Sequence, residues 1–220
     1  MKDVFDMIPS NLIDILKEQG VNELRPSQSK AIKQGLFKNR KNQLVCSPTG
    51  SGKTLVAELG MLYEILNRGK KVIYIVPLKA LAAEKFKEFR EMYSSKFKVR
   101  ISIGELQDGS KVSDFDLLLV TAEKLDSLLR HDKSILENLG LVIADEIHLL
   151  NDDTRGPTLE VLLSVFKSKY TKIRIIGLSA TIGNSQEIAD WLGADLIYDE
   201  WRPVELQHYV LLDDELLRYK

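Results

Sequence analysis

The chain has 220 residues, 44% of them hydrophobic and 29% charged, which excludes a disordered or fibrous protein and allows a sizeable core. Its 31 lysines and arginines stand against 32 aspartates and glutamates, which gives a net charge of -1. This balance excludes a global basic field that would draw the chain to nucleic acid or to a membrane, so any contact with a polyanion must be local.

Cysteine use and the N-terminal pattern bear on the compartment. Cys46 is the lone cysteine, which excludes an internal disulfide and a cysteine-based zinc site and fits a reducing environment. The N-terminal residues carry acids in a helical pattern, and no run approaches the ~18 apolar residues that cross a bilayer. We expect a soluble, unexported, cytoplasmic protein.

Short β-branched apolar runs alternate with longer amphipathic segments along the chain, without an internal repeat or a low-complexity tract. The predicted strands are residues 43–46, 72–76, 99–103, 117–120, 141–144 and 173–178. The predicted helices are residues 27–37, 54–67, 78–93, 122–129, 158–169 and 185–191. Because the strands are apolar throughout, the pattern predicts an α/β fold in which a mostly parallel sheet is covered by helices on both faces.

In such a fold, ligands bind beyond the carboxyl ends of the strands. We therefore expect the loops after Cys46, Val76, Val120, Ala144 and Leu178 to face one shared crevice.

A glycine-rich stretch, SPTGSGKT at 47–54, lies between the first strand and the next helix, and we interpret it as a phosphate loop. Gly50 and Gly52 let successive backbone N–H groups point at phosphate oxygens, and the helix adds its positive N-terminus. Lys53 would reach the β- and γ-phosphates, and Thr54 would bind Mg²⁺. The alternative is an ordinary glycine-rich turn, and Ser47 departs from the glycine usual at that position, although a small residue suffices there. The predicted nucleotide-binding residues of the loop are Ser47, Pro48, Thr49, Gly50, Ser51, Gly52, Lys53 and Thr54.

Two adjacent carboxylates, Asp145 and Glu146, follow an apolar run that is typical of a buried strand. Taken alone, such a pair is typical of a helix cap or a solvated turn. Together with the phosphate loop, and on what we expect to be a neighbouring strand end, Asp145 can hold Mg²⁺ through its water shell. Glu146 can then orient and deprotonate the attacking water. We predict Glu146, Lys53 and Asp145 as catalytic residues, and Thr54 and Asp145 as Mg²⁺ ligands.

The histidines give weaker indications than the carboxylates. A lone histidine is usually a structural residue, and no second histidine near His148 supports metal ligation. We expect His131 and His208 to be structural.

Three motifs occur in order at strand ends, namely SPTGSGKT, DEIH at 145–148 and SAT at 179–181, and they resemble the nucleotide-binding, metal-binding and coupling motifs of superfamily 2 helicases. The segments PLKALAAEKF, TAEKLDSLLRH, DDTRGPTLE and GLSATIGNSQEIADWLGA are similar to the superkiller-like branch, and within it to the archaeal Hjm-type DNA repair helicases. The resemblance implies a P-loop NTPase (RecA-like) domain, the first motor domain, over residues 1–206. Residues 1–24 would be an N-terminal extension, and residues 207–220 would begin a linker to a second RecA-like domain.

The resemblance also assigns roles to residues whose spacing alone indicates nothing. Gln28, in LRPSQ, matches the glutamine that recognises the adenine edge, for which a side-chain amide is suited. Ser179, Ala180 and Thr181 match the coupling motif, which relays the state of the γ-phosphate site, through His148, to the nucleic-acid track.

By the same resemblance, two strand-to-helix turns form the nucleic-acid track, where backbone N–H groups and helix N-termini can hold phosphates without many cations. The predicted track residues are Pro77, Leu78, Lys79, Ala80, Thr121, Ala122, Glu123 and Lys124. For Lys85 and Arg130, a solvated helix face is the equally weighted alternative.

The implied function is an ATP-dependent DNA helicase, 3′ to 5′, that acts in DNA repair and in processing stalled forks or recombination intermediates. ATP and Mg²⁺ are its cofactors, and single-stranded or forked DNA is its partner. The arginine-rich motif, the winged helix and the ratchet domain of the family would lie outside this chain, so we expect slow ATP hydrolysis and no unwinding from it alone. An RNA helicase of the same branch and a nucleotide-binding module without motor activity stay open as alternatives. A small-molecule kinase is disfavoured by Glu146.

Overall fold

The protein is described by a computed structural model that covers residues 4–39, 41–103, 113–205, 207, 209–212 and 215–218. The predicted domain end at Leu206 and the predicted structural His208 lie outside the described residues, as do parts of the predicted linker.

Seven parallel strands form one sheet, which confirms the predicted fold class. They are β1 Asn42–Cys46, β2 Lys71–Val76, β3 Val99–Ser102, β4 Leu117–Thr121, β5 Leu139–Ala144, β6 Arg174–Ser179 and β7 Ala194–Tyr198. Their order across the sheet is β3-β4-β2-β5-β6-β1-β7. A separate antiparallel pair, β8 Tyr209–Leu212 and β9 Glu215–Arg218, lies within the predicted linker.

Seven α-helices lie in the described residues. They are α1 Ser10–Glu18, α2 Pro26–Lys33, α3 Lys53–Leu62, α4 Lys79–Tyr93, α5 Ala122–His131, α6 Gly156–Lys169 and α7 Ser185–Leu192. Helix α3 continues into a π-helical turn, Tyr63–Asn67. The helix predicted over 27–37 ends early because Gly35 has a φ of 95°, which an α-helix cannot accommodate.

The side chains of each central strand alternate between two hydrophobic cores, one on each face of the sheet. On β2, Val72, Tyr74 and Val76 enter the core shared with α1 to α4, whereas Ile73 and Ile75 enter the core shared with α5 to α7. The fold therefore has three layers, and burial on both faces explains why the central strands are continuous apolar runs.

The edge strand β7 was not predicted. Its residues Ala194, Asp195 and Leu196 are only partly buried, since no further strand covers its outer side among the described residues. Asp195 interrupts the apolar run by which the central strands are recognised, and this is why β7 was missed although β3, at the opposite edge, was predicted.

Candidate active site

The seven strands are parallel, so their carboxyl ends bring the predicted motifs to one edge of the sheet, as expected from the sequence. The phosphate loop follows β1, and the SAT motif follows β6 directly beside it, with Cys46 paired to Ser179. The Ser47 N–H donates to the Ser179 carbonyl oxygen at 3.2 Å, so the loop is anchored to this motif where it begins.

The loop between β1 and α3 has the backbone of a phosphate cradle. Gly50 and Gly52 have φ values of 79° and 87°, the left-handed region that favours glycine. Their backbone N–H groups, and those of Lys53 and Thr54, have no hydrogen-bond partner in the described part of the chain. Unpaired donors at a helix N-terminus are suited to bind an anion.

Several side chains of the loop itself are buried. The Ser47 and Ser51 hydroxyls lie 2.7 Å apart and are buried, and Lys53 is 7% exposed. The Lys53 ammonium has neither a hydrogen bond nor an ion pair with any described residue, so its charge is available to a ligand.

The predicted adenine-recognition residue, Gln28, contacts the protein itself in this structure. Its Oε1 accepts a hydrogen bond from the Arg25 backbone N–H at 2.8 Å, and its Nε2 donates to the Gly52 carbonyl oxygen at 2.9 Å. Arg25 Nη1 donates to the Gly50 carbonyl oxygen at 2.5 Å, and its guanidinium lies 5.7 Å from the centre of the Trp201 ring. The start of α2 therefore fixes the outward-facing carbonyl groups of the loop.

The acid pair lies in the turn after β5. Asp145 Oδ1 accepts the Glu146 backbone N–H at 3.0 Å, and Glu146 itself has a φ of 50°. A non-glycine residue in the left-handed region is strained, and such strain is concentrated at functional sites. This backbone holds the Glu146 side chain partly exposed, with Oε2 at 3.3 Å from His148 Nδ1.

The acid pair and the phosphate loop do not follow adjacent strands, and that expectation was wrong. Strand β6 lies between β1 and β5, so the two strand ends are separated by about 10 Å, two strand spacings. The intervening strand end carries the predicted coupling residues Ser179, Ala180 and Thr181. This order places the predicted coupling motif between the two halves of the site.

Unpaired buried polar atoms are concentrated among the predicted site residues. Within the described residues, three buried side-chain atoms form no hydrogen bond, namely Ser27 Oγ, His148 Nδ1 and Ser179 Oγ. His148 Nδ1 lies 3.3 Å from Glu146 Oε2, but the contact does not have the geometry of a hydrogen bond. His148 and Ser179 are predicted coupling residues, and Ser27 precedes Gln28. Because buried polar groups are normally paired, these atoms are candidates to gain partners when the site binds a ligand or changes state.

The two predicted track segments lie side by side. Strands β2 and β4 are neighbours, and Val76 pairs with Thr121 at their ends. Leu78 is 41% exposed, and Lys79, Ala80 and Glu123 are exposed beside it, while Pro77 and Lys124 are half-buried. Thr121 and Ala122 are buried, and the Thr121 hydroxyl accepts the Lys124 N–H at 3.4 Å as the cap of α5.

Two residues that contact the acid pair were not identified from the sequence. The Tyr74 hydroxyl donates to Asp145 Oδ2 at 3.0 Å, and Lys85 Nζ lies 3.6 Å from the same oxygen. Burial, and then the charge of Asp145, raises the pKa of Tyr74 well above its usual range, so the phenol remains a donor. The Lys85 side chain is 17% exposed, so the solvated helix face does not describe it, whereas Arg130 is solvated and pairs with Asp126 at 2.9 Å.

Another buried polar group lies on α3, the helix that follows the phosphate loop. Glu58, on α3, accepts a hydrogen bond from the Tyr93 hydroxyl at 3.1 Å, and that hydroxyl accepts one from Gln19 at 2.7 Å. Burial raises the pKa of Glu58 to about 7, against the lowering effect of the Tyr93 hydrogen bond. Glu58 also lines a 560 Å³ cavity that extends to Gln28 and Gly52.

The described residues contain no cluster of three or more His, Cys, Asp or Glu side chains suited to a metal ion. A Mg²⁺ ion held by Thr54 and Asp145 would therefore need phosphate and water oxygens to complete its coordination. None of the described helices is long and apolar enough to cross a membrane.

Comparison with known sequences identifies helicases. The family model of the DEAD/DEAH box helicases matches residues 25–189. The chain is 47% identical over 213 residues to the ATP-dependent DNA helicase Hel308 of Methanococcus vannielii, across 94% of this chain and 28% of that protein. It is 48% identical over 202 residues to Hel308 of Methanocaldococcus jannaschii, across 89% of this chain and 17% of that protein. These matches confirm the predicted resemblance, and the chain spans 17% to 28% of the length of these two relatives.

Comparison with solved structures agrees on the fold. The DUF1998 helicase MrfA, solved bound to DNA, matches with a TM-score of 0.74 at 24% sequence identity. The match covers 88% of this chain and 30% of the MrfA chain, and it shows that the RecA-like fold is shared.

Proposed function

The chain belongs to the DEAD/DEAH box helicase family, and from that premise we propose that it is the first motor domain of an ATP-dependent DNA helicase. The observation that supports this best is the arrangement at one sheet edge of a cradle of unpaired N–H groups, an acid pair and two exposed strand-to-helix turns. The proposed domain spans residues 1–206, with residues 1–24 as an N-terminal extension and 207–220 as the start of a linker to a second RecA-like domain.

The residues of the phosphate loop fit a nucleoside triphosphate. The free N–H groups of Gly50, Gly52, Lys53 and Thr54 and the unpaired Lys53 ammonium would hold the β- and γ-phosphates. Thr54 and Asp145 are the oxygen ligands proposed for Mg²⁺, which when bound neutralises charge on the phosphate oxygens. Gln28 would reach adenine after exchanging its hydrogen bond to the Gly52 carbonyl for one to the base.

Glu146 is the proposed general base. Its carboxylate would orient the attacking water and accept the water proton. The strained backbone of Glu146 holds the side chain in a turn whose other carboxylate, Asp145, is fixed by two hydrogen bonds. Asp145 is therefore assigned to the metal, and Glu146 is assigned to the proton of the attacking water.

Coupling to nucleic acid is proposed to run along the sheet edge. His148 Nδ1 and Ser179 Oγ are buried atoms that form no hydrogen bond in the described chain, although the histidine atom lies 3.3 Å from Glu146 Oε2. A shift at the γ-phosphate position can therefore give each of them a hydrogen bond. Residues 77–80 and 121–124 would hold the sugar–phosphate backbone through N–H groups, without base preference.

The activity proposed for the whole protein follows its relatives. Those compared are named ATP-dependent DNA helicases, and the fold match MrfA was solved bound to DNA. We propose single-stranded or forked DNA as the substrate, 3′ to 5′ movement, a role in repair and in stalled-fork or recombination-intermediate processing, and a cytoplasmic location. Strand separation would require the second RecA-like, winged-helix and ratchet domains.

Steady-state ATP hydrolysis by the 220-residue chain, with and without a DNA strand, tests this proposal. The expected result is slow turnover that Glu146→Gln abolishes while Mg-ATP still binds. A rate insensitive to Glu146→Gln would refute the assigned base.

Competition binding between DNA and RNA strands distinguishes the proposed DNA helicase from an RNA helicase. An RNA helicase would prefer RNA of the same sequence, because the 2′-hydroxyl is the group that distinguishes the two. A nucleotide-binding module without motor activity would show ATP affinity that neither strand changes.

A further inference from the structure

Lys85 faces the acid pair from α4, the helix that begins at the proposed track. Its side chain is 17% exposed, and Nζ lies 3.6 Å from Asp145 Oδ2. The ammonium also lies 5.4 Å from the centre of the Tyr74 ring and 5.9 Å from that of Phe89. Aromatic faces attract a cation, so this lysine occupies a defined niche rather than a solvated helix face.

In the described part of the chain, Lys85 is the cationic partner of Asp145, and Lys53 of the phosphate loop is not. The Asp145 side chain is 10% exposed, and a charge so far from water needs a partner. Lys53 forms no ion pair within the described residues, and Lys85 alone is recorded there as the cationic partner of Asp145. The carboxylate is thereby balanced while Lys53 stays available for phosphate.

We propose that Lys85 is the counter-cation of Asp145, a positioning residue that balances the charge of the carboxylate before a divalent cation binds. Lys85 thereby sets the metal concentration at which the site becomes occupied. The inference rests on the proposed function, because it needs Asp145 to bind the metal. A divalent cation that approaches Asp145 meets the repulsion of the Lys85 ammonium, so the lysine weakens metal affinity. In the metal-free protein the same ammonium stabilises the fold.

If Lys85 has this role, removing its charge should raise the affinity for a divalent cation and lower the melting temperature of the metal-free protein. Lys85→Met should tighten divalent-cation binding roughly tenfold, which is the effect of removing one partly buried like charge. The same variant should melt at a lower temperature than the wild type in a chelator, because Asp145 is then left without a counter-charge. A residue with a merely structural role would weaken metal binding when replaced, because its loss would loosen the site.

The test is Mn²⁺ binding, followed by electron paramagnetic resonance in the presence of ADP, with thermal melting in EDTA as the second readout. Lys85→Arg keeps the charge, and Lys87→Met removes an exposed lysine from the same helix. Both controls should match the wild type. If Lys85→Met does not fold, Lys85→Gln carries the same expectation.

Unchanged or weaker Mn²⁺ binding by the folded Lys85→Met or Lys85→Gln variant would overturn the proposal. Failure of the proposed function would appear differently, as a wild-type Mn²⁺ affinity that Asp145→Asn leaves unchanged. In the Asp145→Asn background, Lys85→Met should no longer lower the melting temperature in EDTA, since no carboxylate remains to be balanced.

Discussion

Replacing Glu58 by glutamine should remove a pH dependence from the stability of this fold. Glu58 is 8% exposed, and its Oε2 accepts a hydrogen bond from the Tyr93 hydroxyl. Burial raises the pKa of the carboxyl from 4.5 to about 7, while the Tyr93 hydrogen bond opposes that rise. The folded state therefore holds the proton more tightly than the unfolded state does.

This difference in proton affinity sets the direction in which the free energy of unfolding changes with pH. Glu58 contributes stability that is fully present below pH 4.5, the unfolded value, and is lost as the pH rises to about 7. Each tenfold difference in proton affinity corresponds to about 1.4 kcal/mol. The rise in pKa therefore corresponds to about 3 kcal/mol of unfolding free energy, as an order of magnitude.

Glu58→Gln keeps an oxygen that can accept the Tyr93 hydrogen bond but cannot ionise. Relative to the wild type, the variant should be about equally stable near pH 5 and more stable by about 2 to 3 kcal/mol near pH 8. Urea unfolding at the two pH values measures the difference, and Glu91→Gln, an exposed residue on α4, is the matched control. Equal pH slopes for the wild type and Glu58→Gln would refute the reasoning.

Two further substitutions test the loop and the sheet. Gly52→Ala should destabilise the fold by about 1 to 3 kcal/mol, because its φ is 87° and the new Cβ would lie 2.6 Å from Gln28 Nε2. Gly69→Ala, with a φ of 60° and open space around it, should cost only the strain, and equal urea midpoints for the two variants would contradict the predicted clash. Arg174→Met should cost about 3 kcal/mol, because the buried guanidinium donates to the carbonyl oxygens of Lys41 and Leu36. A loss below about 1 kcal/mol in urea unfolding would mean that water replaces those hydrogen bonds.

The central strands were predictable because burial on both faces leaves an unbroken apolar signature. β2 and β5 lie in the middle of the sheet, and their bounds differ from the predicted ones by one or two residues at the N-terminal end. β7 has a neighbour on one side only within the described chain, and its polar Asp195 interrupts the pattern. Strand order is not encoded in local spacing, which is why β6 was not expected between the phosphate loop and the acid pair.

The site residues divide in the same way. The residues proposed for the phosphate loop and for the acid pair are adjacent in the sequence, so a local motif was enough to predict them. Tyr74 appears in the sequence as a core aromatic, and Lys85 as one charge on an amphipathic helix. The pairing of β2 with β5 brings Tyr74 to Asp145, and the packing of α4 against β2 brings Lys85 there. Both are long-range contacts, so no local pattern could have identified them.

Calorimetric titration of Mg-ATP into the Glu146→Gln chain, with and without Lys53→Ala, tests the central claim most directly. If Glu146 is the general base, as proposed, Glu146→Gln should block turnover and leave the cradle intact, so that binding alone is measured. The structure predicts saturable binding that Lys53→Ala weakens at least about tenfold, since a buried charge-assisted contact to phosphate is lost. Affinity that Lys53→Ala leaves unchanged, or no binding by either chain, would contradict the assignment of this loop as the nucleotide site.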